Sequence, residues 1–336
     1  MTEHPAGGSA TPHEISVVVP VYQGERTLPS LVDGLLELTT PFVTPAGNIA
    51  RVTEVLLVFD NGPDNSAAVI RDLSEQHDCV RGVWLSRNYG QHAATLAGLA
   101  STGGEWLVTM DEDGQHDPAS IAPMLDVAMR DQASVVYGTP ADPPPHGALR
   151  NLSSRRAKWL LERVLGATGA ADYSSYRLML GEVGRSLAAY AGAGVYLDVA
   201  LGWVAGHVST CPVTPRSEER PSGYSYRSLF SHFWRMVLTS GTRGLRLVSL
   251  LGVVFATLGI GFAGLLIVER LTVNNITERG WTSTMVVVLV STGAILFSLG
   301  VVAEYVGVAV KMAMGKPLYV IVRDPASGPL GREPGS

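Results

Sequence analysis

Apolar and polar positions switch repeatedly between two periods along the first 140 residues. Ile15 to Pro20 (ISVVVP) is an unbroken, mostly β-branched run closed by proline, the pattern of a strand buried on both faces. Thr27 to Leu38 changes to a helical period, with Leu28, Leu31, Val32, Leu35 and Leu36 three or four positions apart or adjacent on one face. The alternation then repeats. A strand is expected over Val52 to Phe59, a helix over Asn65 to Gln76 with Asn65 or Ser66 as N-cap, and a short strand over Gly82 to Leu85. An alanine-rich helix follows over Gln91 to Ala100, a strand over Glu105 to Met110, a helix over Ala119 to Met129 and a strand over Ser134 to Gly138. Strands alternating with helices predict an α/β domain with a mostly parallel sheet, helices on both faces and right-handed crossovers.

The pattern changes in the C-terminal third. Leu247 to Val268 and Trp281 to Ala303 are uncharged, and each is long enough to span ~30 Å of hydrocarbon. A buried core helix is the alternative, but two such segments joined by the short polar ERLTVNNITERG read as a transmembrane hairpin. Arg243 and Arg246 precede the first segment, and Lys311, Lys316 and Arg323 follow the second; the loop holds only Arg270 and Arg279. This bias puts both ends of the hairpin in the cytoplasm. Upstream, Leu229, Phe230, Phe233, Trp234, Val237 and Leu238 form an apolar stripe, either a helix lying in the membrane interface or one packed on the soluble domain. The N-terminal MTEHPAGGSATPHE has no basic stretch followed by an apolar one, so it reads as a disordered lead rather than a secretory signal. The expected organisation is a lead over 1–14, a cytoplasmic domain over 15–225, an interface helix over 226–244, transmembrane helices over 245–268 and 281–303, and a cytoplasmic tail over 304–336. Glycines inside the spans, among them Gly252, Gly259, Gly293 and Gly300, permit close helix contacts and a homo-oligomer.

Composition narrows the function classes. The 336 residues suit about two domains. A mean hydropathy of +0.20 is high for a wholly soluble protein and is explained by the two apolar segments. The net charge of −5 gives no overall basic footprint, so no nucleic-acid partner is expected. Cys79 and Cys211 are far apart without metal-ligand spacing and read as reduced thiols. Neither GxGxxG nor GxxxxGK[ST] occurs, so dinucleotide and P-loop cradles are unsupported.

In open parallel sheets, ligands sit beyond the carboxyl ends of the strands. Those ends carry Pro20 to Glu25 (PVYQGE), Asp60 to Asp64 (DNGPD), Arg87 to Gly90 (RNYG) and Asp111 to Pro118 (DEDGQHDP). The last crowds carboxylates that repel unless something neutralises them. A surface turn accounts for Asp-Gly alone, and the twelve-residue calcium loop is absent. A divalent cation serving a substrate phosphate is the third reading: Mg2+ and Mn2+ take one or two carboxylates and complete their shell with phosphate and water. Asp111, Asp113 and Gln115 supply that kind of oxygen set.

VVVPVYQGERTL, FDNGPDNS, LSRNYGQHAATLAGL and MDEDGQHDP, in this order, resemble family 2 glycosyltransferases, and most closely the membrane-anchored polyprenyl-phosphate glycosyltransferases. DYSSYRL at Asp172 to Leu178, RPSGYSY at Arg220 to Tyr226 and the EYVGVAVKMAMGKPLYVI run extend the resemblance over roughly residues 15 to 322. It implies a GT-A fold and inverting transfer from a nucleotide-sugar, UDP-linked in the bacterial members, to a polyprenyl phosphate at the cell membrane. The implied metal is Mg2+ or Mn2+, held by Asp111, Asp113 and Gln115. Pro20, Tyr22, Glu25, Asp60 and Asp64, with Asp111, are implied to contact the nucleotide. Asp113, Asp172 and Arg177 are the implied catalytic set, and Arg220, Ser225 and Tyr226 the implied grip on the acceptor phosphate. His116 reads as a structural polar residue rather than a ligand.

The sequence also departs from the family pattern. The usual Asn-Glu after the tyrosine is Gln23-Gly24, with the acid at Glu25. A proline-rich stretch follows Gly138, and Arg150, Arg155 and Arg156 come only later. A processive polysaccharide synthase would be expected to bring more spans and a QxxRW element, which is absent. A noncatalytic membrane scaffold is opposed by the intact Asp111/Asp113 pair.

Overall fold

The computed structural model describes residues 11–141, 173–191, 197–214, 280–315 and 317–328, with parts of 252–268. The described residues fall into two compact units: one holds those up to 214 and those from 317 on, the other those between 252 and 315.

The first unit is built on one nine-stranded sheet. Its strands are β1 (His13–Val21), β2 (Phe42–Val43), β3 (Ile49–Phe59), β4 (Val80–Leu85), β5 (Trp106–Thr109), β6 (Val135–Pro140), β7 (Arg177–Leu180), β8 (Val208–Val213) and β9 (Ile321–Val322). The order is β8-β6-β7-β5-β1-β3-β4-β9, with β2 paired to β3. β1, β3, β4, β5, β6 and β8 run one way, whereas β7 opposes both its neighbours and β9 opposes β4. The sheet is therefore mixed but mostly parallel. All five strands and four helices expected before residue 140 are present.

The helices are α1 (Leu28–Leu36), α2 (Ser66–Gln76), α3 (Gln91–Ala100), α4 (Ile121–Asp131), α5 (Gly181–Tyr190) and α6 (Leu197–Val204). Strand alternation sorts them onto the two faces. Ile15, Val17, Val19 and Val21 pack with apolar residues of α1, α2 and α4, while Val18, Leu56 and Val58 pack with α3, α5 and α6. Both faces are covered, which accounts for the continuous apolar strands. Pro20 fits the central strand because of the same alternation. The Val18 carbonyl accepts from Met110 and the Val21 carbonyl from Asp60. The Pro20 nitrogen thus faces the β5 side, beyond the last β1–β5 pair at Val18 and Thr109, where its missing N–H breaks no ladder bond.

The C-terminal residues, expected as a tail, return to this sheet. β9 pairs Ile321 and Val322 with Leu85 and Trp84, and the Ser86 N–H donates to the Val320 carbonyl (3.0 Å). Arg71 forms a two-pronged ion pair with Asp324 (both bonds 2.7 Å), and its guanidinium lies 4.9 Å from the Trp84 ring centre.

In the second unit, α7 (Gly280–Ala313) is a 34-residue helix whose Val290–Val310 stretch is long and apolar enough to cross a membrane. It contains the expected 281–303 segment and continues a further ten residues. The other expected span is described only as a shorter apolar helical stretch, Gly252–Phe262. Among the described residues, one helix of spanning length is therefore seen where two were expected. The 226–244 stripe lies outside the described residues.

Candidate active site

Four loops leave the carboxyl ends of β1, β3, β4 and β5, and their side chains tie them to one another. The Glu25 N–H donates to Asp64 Oδ2 (3.1 Å), and the Asn65 N–H donates back to Glu25 Oε2 (3.1 Å). Asp64 Oδ1 accepts from the Ser66 hydroxyl (2.6 Å) and N–H (3.2 Å). Partial burial pushes the Asp64 carboxyl up, but the Ser66 hydroxyl and the Glu25 and Ser66 N–H groups outweigh it and hold the group below its usual range. Beside this exchange lies an open cavity of about 280 Å³ lined by Gln23, Glu25, Arg26 and Asp64. Glu25 and Asp64, two of the residues implied to contact nucleotide, thus share one pocket. Tyr22, which precedes Gln23 in the chain, is 41% exposed.

Pro20 and Asp60 are placed differently. Pro20 is buried in the body of β1. Asp60 is 3% exposed, and its two oxygens accept from the Tyr89 and Gly90 N–H groups (both 2.7 Å). Burial raises its pKa against the pull of those donors. The carboxylate fixes the turn that starts α3, so Asp60 positions the Arg87–Gly90 loop rather than facing open space.

The acidic loop divides by partner. Asp111 Oδ1 accepts from Gln91 Nε2 and Oδ2 from the Ser175 hydroxyl (both 2.5 Å), and its N–H donates to His116 Nδ1 (3.0 Å). Asp113 accepts from the Gln115 N–H (3.0 Å). The Gln115 side chain is exposed. His116 stacks on Tyr176, ring centres 4.8 Å apart, and Tyr176 donates to the Asp117 carbonyl (2.8 Å). Burial lowers the His116 pKa, although Asp111 and Asp113 oppose it, so a neutral ring accepts the Asp111 N–H. Asp117 caps the short 3-10 turn Pro118–Ser120 through the Ala119 N–H (3.1 Å). Glu112 turns away from Asp111 and Asp113: its carboxylate accepts from the Tyr22 N–H (2.8 Å) and Gln23 N–H (3.0 and 3.1 Å). Burial raises its pKa and the two N–H donors oppose that; nearby Asp64 and Asp111 add to the rise.

For a cation, the geometry offers two carboxylates rather than a full protein cage. Among the described residues no group of three or more His, Cys, Asp or Glu side chains is arranged to hold a metal. Asp113 keeps oxygen capacity beyond its single backbone bond, while Asp111 is already oriented by Gln91 and Ser175. Such a pair suits a hard divalent cation that completes its shell with phosphate oxygens and water.

Arg177 is taken up by the fold. It is 4% exposed, and its Nε and Nη2 donate to the two oxygens of Asp198 on α6 (2.7 and 2.9 Å). Nη1 donates to Thr109 and to the Ser175 carbonyl (3.2 and 3.3 Å), and Tyr137 donates to Asp198 (3.1 Å). This buried ion pair ties β7 to α6 and engages the guanidinium that the resemblance implies for catalysis. Asp172, Arg220, Ser225 and Tyr226 lie outside the described residues, as do Arg150, Arg155 and Arg156. Sequence reasoning missed the roles of Gln91, Ser175, Glu112 and Asp198, whose partners are 20 or more positions away in the chain, and the bond from the Gly24 N–H to Ser66.

Gly62 sets the spacing of two of these loops. A Cβ there would lie 1.6 Å from the Tyr22 carbonyl oxygen. Because the obstacle is backbone, Gly62→Ala is expected to destabilise by about 1–3 kcal/mol and to weaken donor binding. Thermal unfolding and donor titration measure the two effects.

Residues 16–180, which contain all four loops, match the family model of glycosyl transferase family 2. This segment is a family 2 glycosyltransferase domain. The glycosyltransferase is 29% identical, over 95% of its own chain and 97% of the relative, to the undecaprenyl-phosphate 4-deoxy-4-formamido-L-arabinose transferase of Salmonella choleraesuis (strain SC-B67). The enzyme of that name from Edwardsiella ictaluri (strain 93-146) is also 29% identical, over 91% of this chain and 93% of the relative. The expected kinship with the polyprenyl-phosphate group is thereby borne out. Glucosyl-3-phosphoglycerate synthase from Mycobacterium tuberculosis, solved with uridine diphosphate, is 18% identical with a TM-score of 0.47, covering 69% of this chain and 80% of that one.

Proposed function

We propose that this glycosyltransferase moves one sugar, with inversion, from a UDP-linked nucleotide-sugar to a polyprenyl phosphate at the cytoplasmic face of the cell membrane. The product would be a lipid-linked sugar for cell-envelope or protein glycosylation. The observation that carries this reading is the similarity to undecaprenyl-phosphate sugar transferases, which runs through the apolar C-terminal region as well as the catalytic domain.

In this reading, Tyr22, Glu25 and Asp64 contact the nucleotide, and Asp111 and Asp113, with Gln115 at the rim, hold Mg2+ or Mn2+. When bound, the ion neutralises charge that develops on the departing diphosphate. Gln91 and Ser175 fix the Asp111 carboxylate before the donor arrives, so no reorientation is needed as the bond breaks. The acceptor phosphate is already an anion at neutral pH and needs no strong general base. Its proposed grip is Arg220, Ser225 and Tyr226, with Asp172 orienting it.

The membrane placement is supported by chain connectivity. Residues 13–213 and β9 belong to one sheet. The chain between them therefore starts and ends on the same side of any membrane it crosses, which requires an even number of crossings. α7 supplies one and 247–268 is the proposed other, with the flanking arginines and lysines on the cytoplasmic side. Single cysteines at Ser327 and Thr277, in a chain with Cys79 and Cys211 replaced, are expected to label oppositely with a membrane-impermeant maleimide in intact cells: Thr277→Cys reacts and Ser327→Cys does not. Equal labelling of both would remove the hairpin.

Stereochemistry tests the reaction itself. Protein in detergent is mixed with polyprenyl phosphate, a divalent cation and a panel of nucleotide-sugars, and the lipid product is followed by NMR. A single sugar with the anomeric configuration opposite to the donor's is expected, from a UDP-linked donor. Retention, or a polymer, would overturn the reading.

A further inference from the structure

Four consecutive N–H groups, from Tyr22 to Glu25, all donate to side chains of other loops. Gly24 donates to the Ser66 hydroxyl (2.9 Å) and Glu25 to Asp64, both from the β3 end. Tyr22 and Gln23 donate to Glu112, which stands between Asp111 and Asp113. Glu112 is the side chain from the acidic loop in this set. The approach is close: a Cβ on Gly24 would lie 2.9 Å from Glu112 Oε2 and 2.8 Å from Leu28 Cγ.

Stability of the fold gives this arrangement little reason to exist. Tyr22 and Gln23 are exposed residues, and water would satisfy their N–H groups in place of a carboxylate. A carboxylate drawn from water into a site that already holds Asp64 and Asp111 pays desolvation and repulsion. What the contact does provide is a fixed distance between the loop that carries Asp113 and the loop that carries Glu25. Through Glu25 and Asp64 the same tie reaches the end of β3.

We propose that Glu112 is a positioning residue that latches the acidic loop to the Tyr22–Glu25 loop and so aligns the cation-holding carboxylates with the donor pocket. Its catalytic consequence rests on the proposed donor and cation reading; the latch does not. Charge-assisted bonds to two N–H groups make it strong enough to order both loops. Glutamine at this position keeps one oxygen acceptor and a similar shape, so it preserves part of the latch, whereas alanine removes it.

Two readouts test the proposal on the full-length protein in detergent. The first is amide hydrogen exchange of peptides covering residues 21–25, without any substrate. Glu112→Ala is expected to speed exchange in this stretch about tenfold or more, Glu112→Gln to speed it less, and both to leave β3 peptides unchanged. Unaltered exchange at 21–25 in Glu112→Ala would overturn the latch. The second is kinetic. Glu112→Ala is expected to raise the donor KM and the half-saturating Mn2+ concentration about tenfold each, with the acceptor KM unchanged and Glu112→Gln intermediate. A uniform fall in kcat with unchanged donor and Mn2+ dependence would show a merely structural residue and overturn the positioning role. If wild-type protein transferred nothing from any donor, the proposed function would fail while the exchange experiment still judged the latch.

Discussion

Asp113→Ala is expected to lower sugar transfer about a thousandfold, because a divalent cation contributes several kcal/mol to stabilising the departing diphosphate and each 1.4 kcal/mol is tenfold in rate. The same substitution is expected to leave thermal unfolding nearly unchanged, since among the described residues the Asp113 carboxylate accepts a hydrogen bond from the Gln115 N–H alone. Asp113→Asn keeps that bond and the side-chain shape but not the charge, and it should be almost as inactive. Asp111→Ala is predicted to behave differently. It removes a carboxylate that also receives Gln91 and Ser175, so it should lose both activity and some stability. Steady-state transfer rates beside melting curves for the three variants separate these outcomes. An Asp113→Ala enzyme with near wild-type kcat/KM would remove the cation from the account.

The second large effect is on folding. Arg177 and Asp198 are 4% and 2% exposed and face each other with two hydrogen bonds. Removing one partner of such a pair leaves an uncompensated buried charge and costs about 3–5 kcal/mol. For a domain of this size that is a fall of roughly 6–20 °C in the melting temperature. Arg177→Ala and Asp198→Ala are each expected to show it. Replacing both residues together by apolar ones of similar volume, Arg177→Met with Asp198→Leu, is expected to recover much of the loss, because no lone charge remains. Differential scanning calorimetry of the singles and the double decides it. A mild effect of Arg177→Ala on melting combined with a severe fall in kcat would favour the implied catalytic role over the structural one.

The parts of the fold legible in the sequence are those in which one local pattern determines the element. The central stretches of β1, β3 and β5 are covered on both faces, so Val17 to Val21, Val55 to Phe59 and Trp106 to Val108 are apolar without a break. α1 and α4 bury one stripe each, so the period of 3.6 shows. β7, β8 and β9 carry weaker signals. β7 is four residues, Arg177 to Leu180, that begin with a buried charge. In β8 a covered side, Ser209, Cys211 and Val213, alternates with an exposed one, Val208, Thr210 and Pro212, and each side mixes polar with apolar residues, so no period shows. β9 is two residues held by pairing with Trp84 and Leu85, which lie more than 200 positions earlier.

The candidate site divides in the same way. Asp111 and Asp113 are legible because carboxylates crowded after a buried strand call for a cation. Asp60 stands in the nucleotide set by the resemblance, while its bonds to the Tyr89 and Gly90 N–H groups, which fix the next loop, appear only in the folded chain. Arg177 was drawn into catalysis by its motif, although Asp198, a lone acid in the apolar run YLDVALGW, takes its charge. The latch at Glu112 joins residues some 90 positions apart, and only the folded geometry brings them together.

The most direct test of the central claim is the mass of the lipid product. Detergent-solubilised protein is incubated with polyprenyl phosphate, a nucleotide-sugar and Mn2+ or Mg2+, and the organic-extractable lipid is weighed by mass spectrometry. The account predicts polyprenyl phosphate plus one sugar residue, formed only with the cation and lost on chelation or in Asp113→Ala. Lipid carrying a chain of sugars, or unchanged polyprenyl phosphate with every donor, would contradict it.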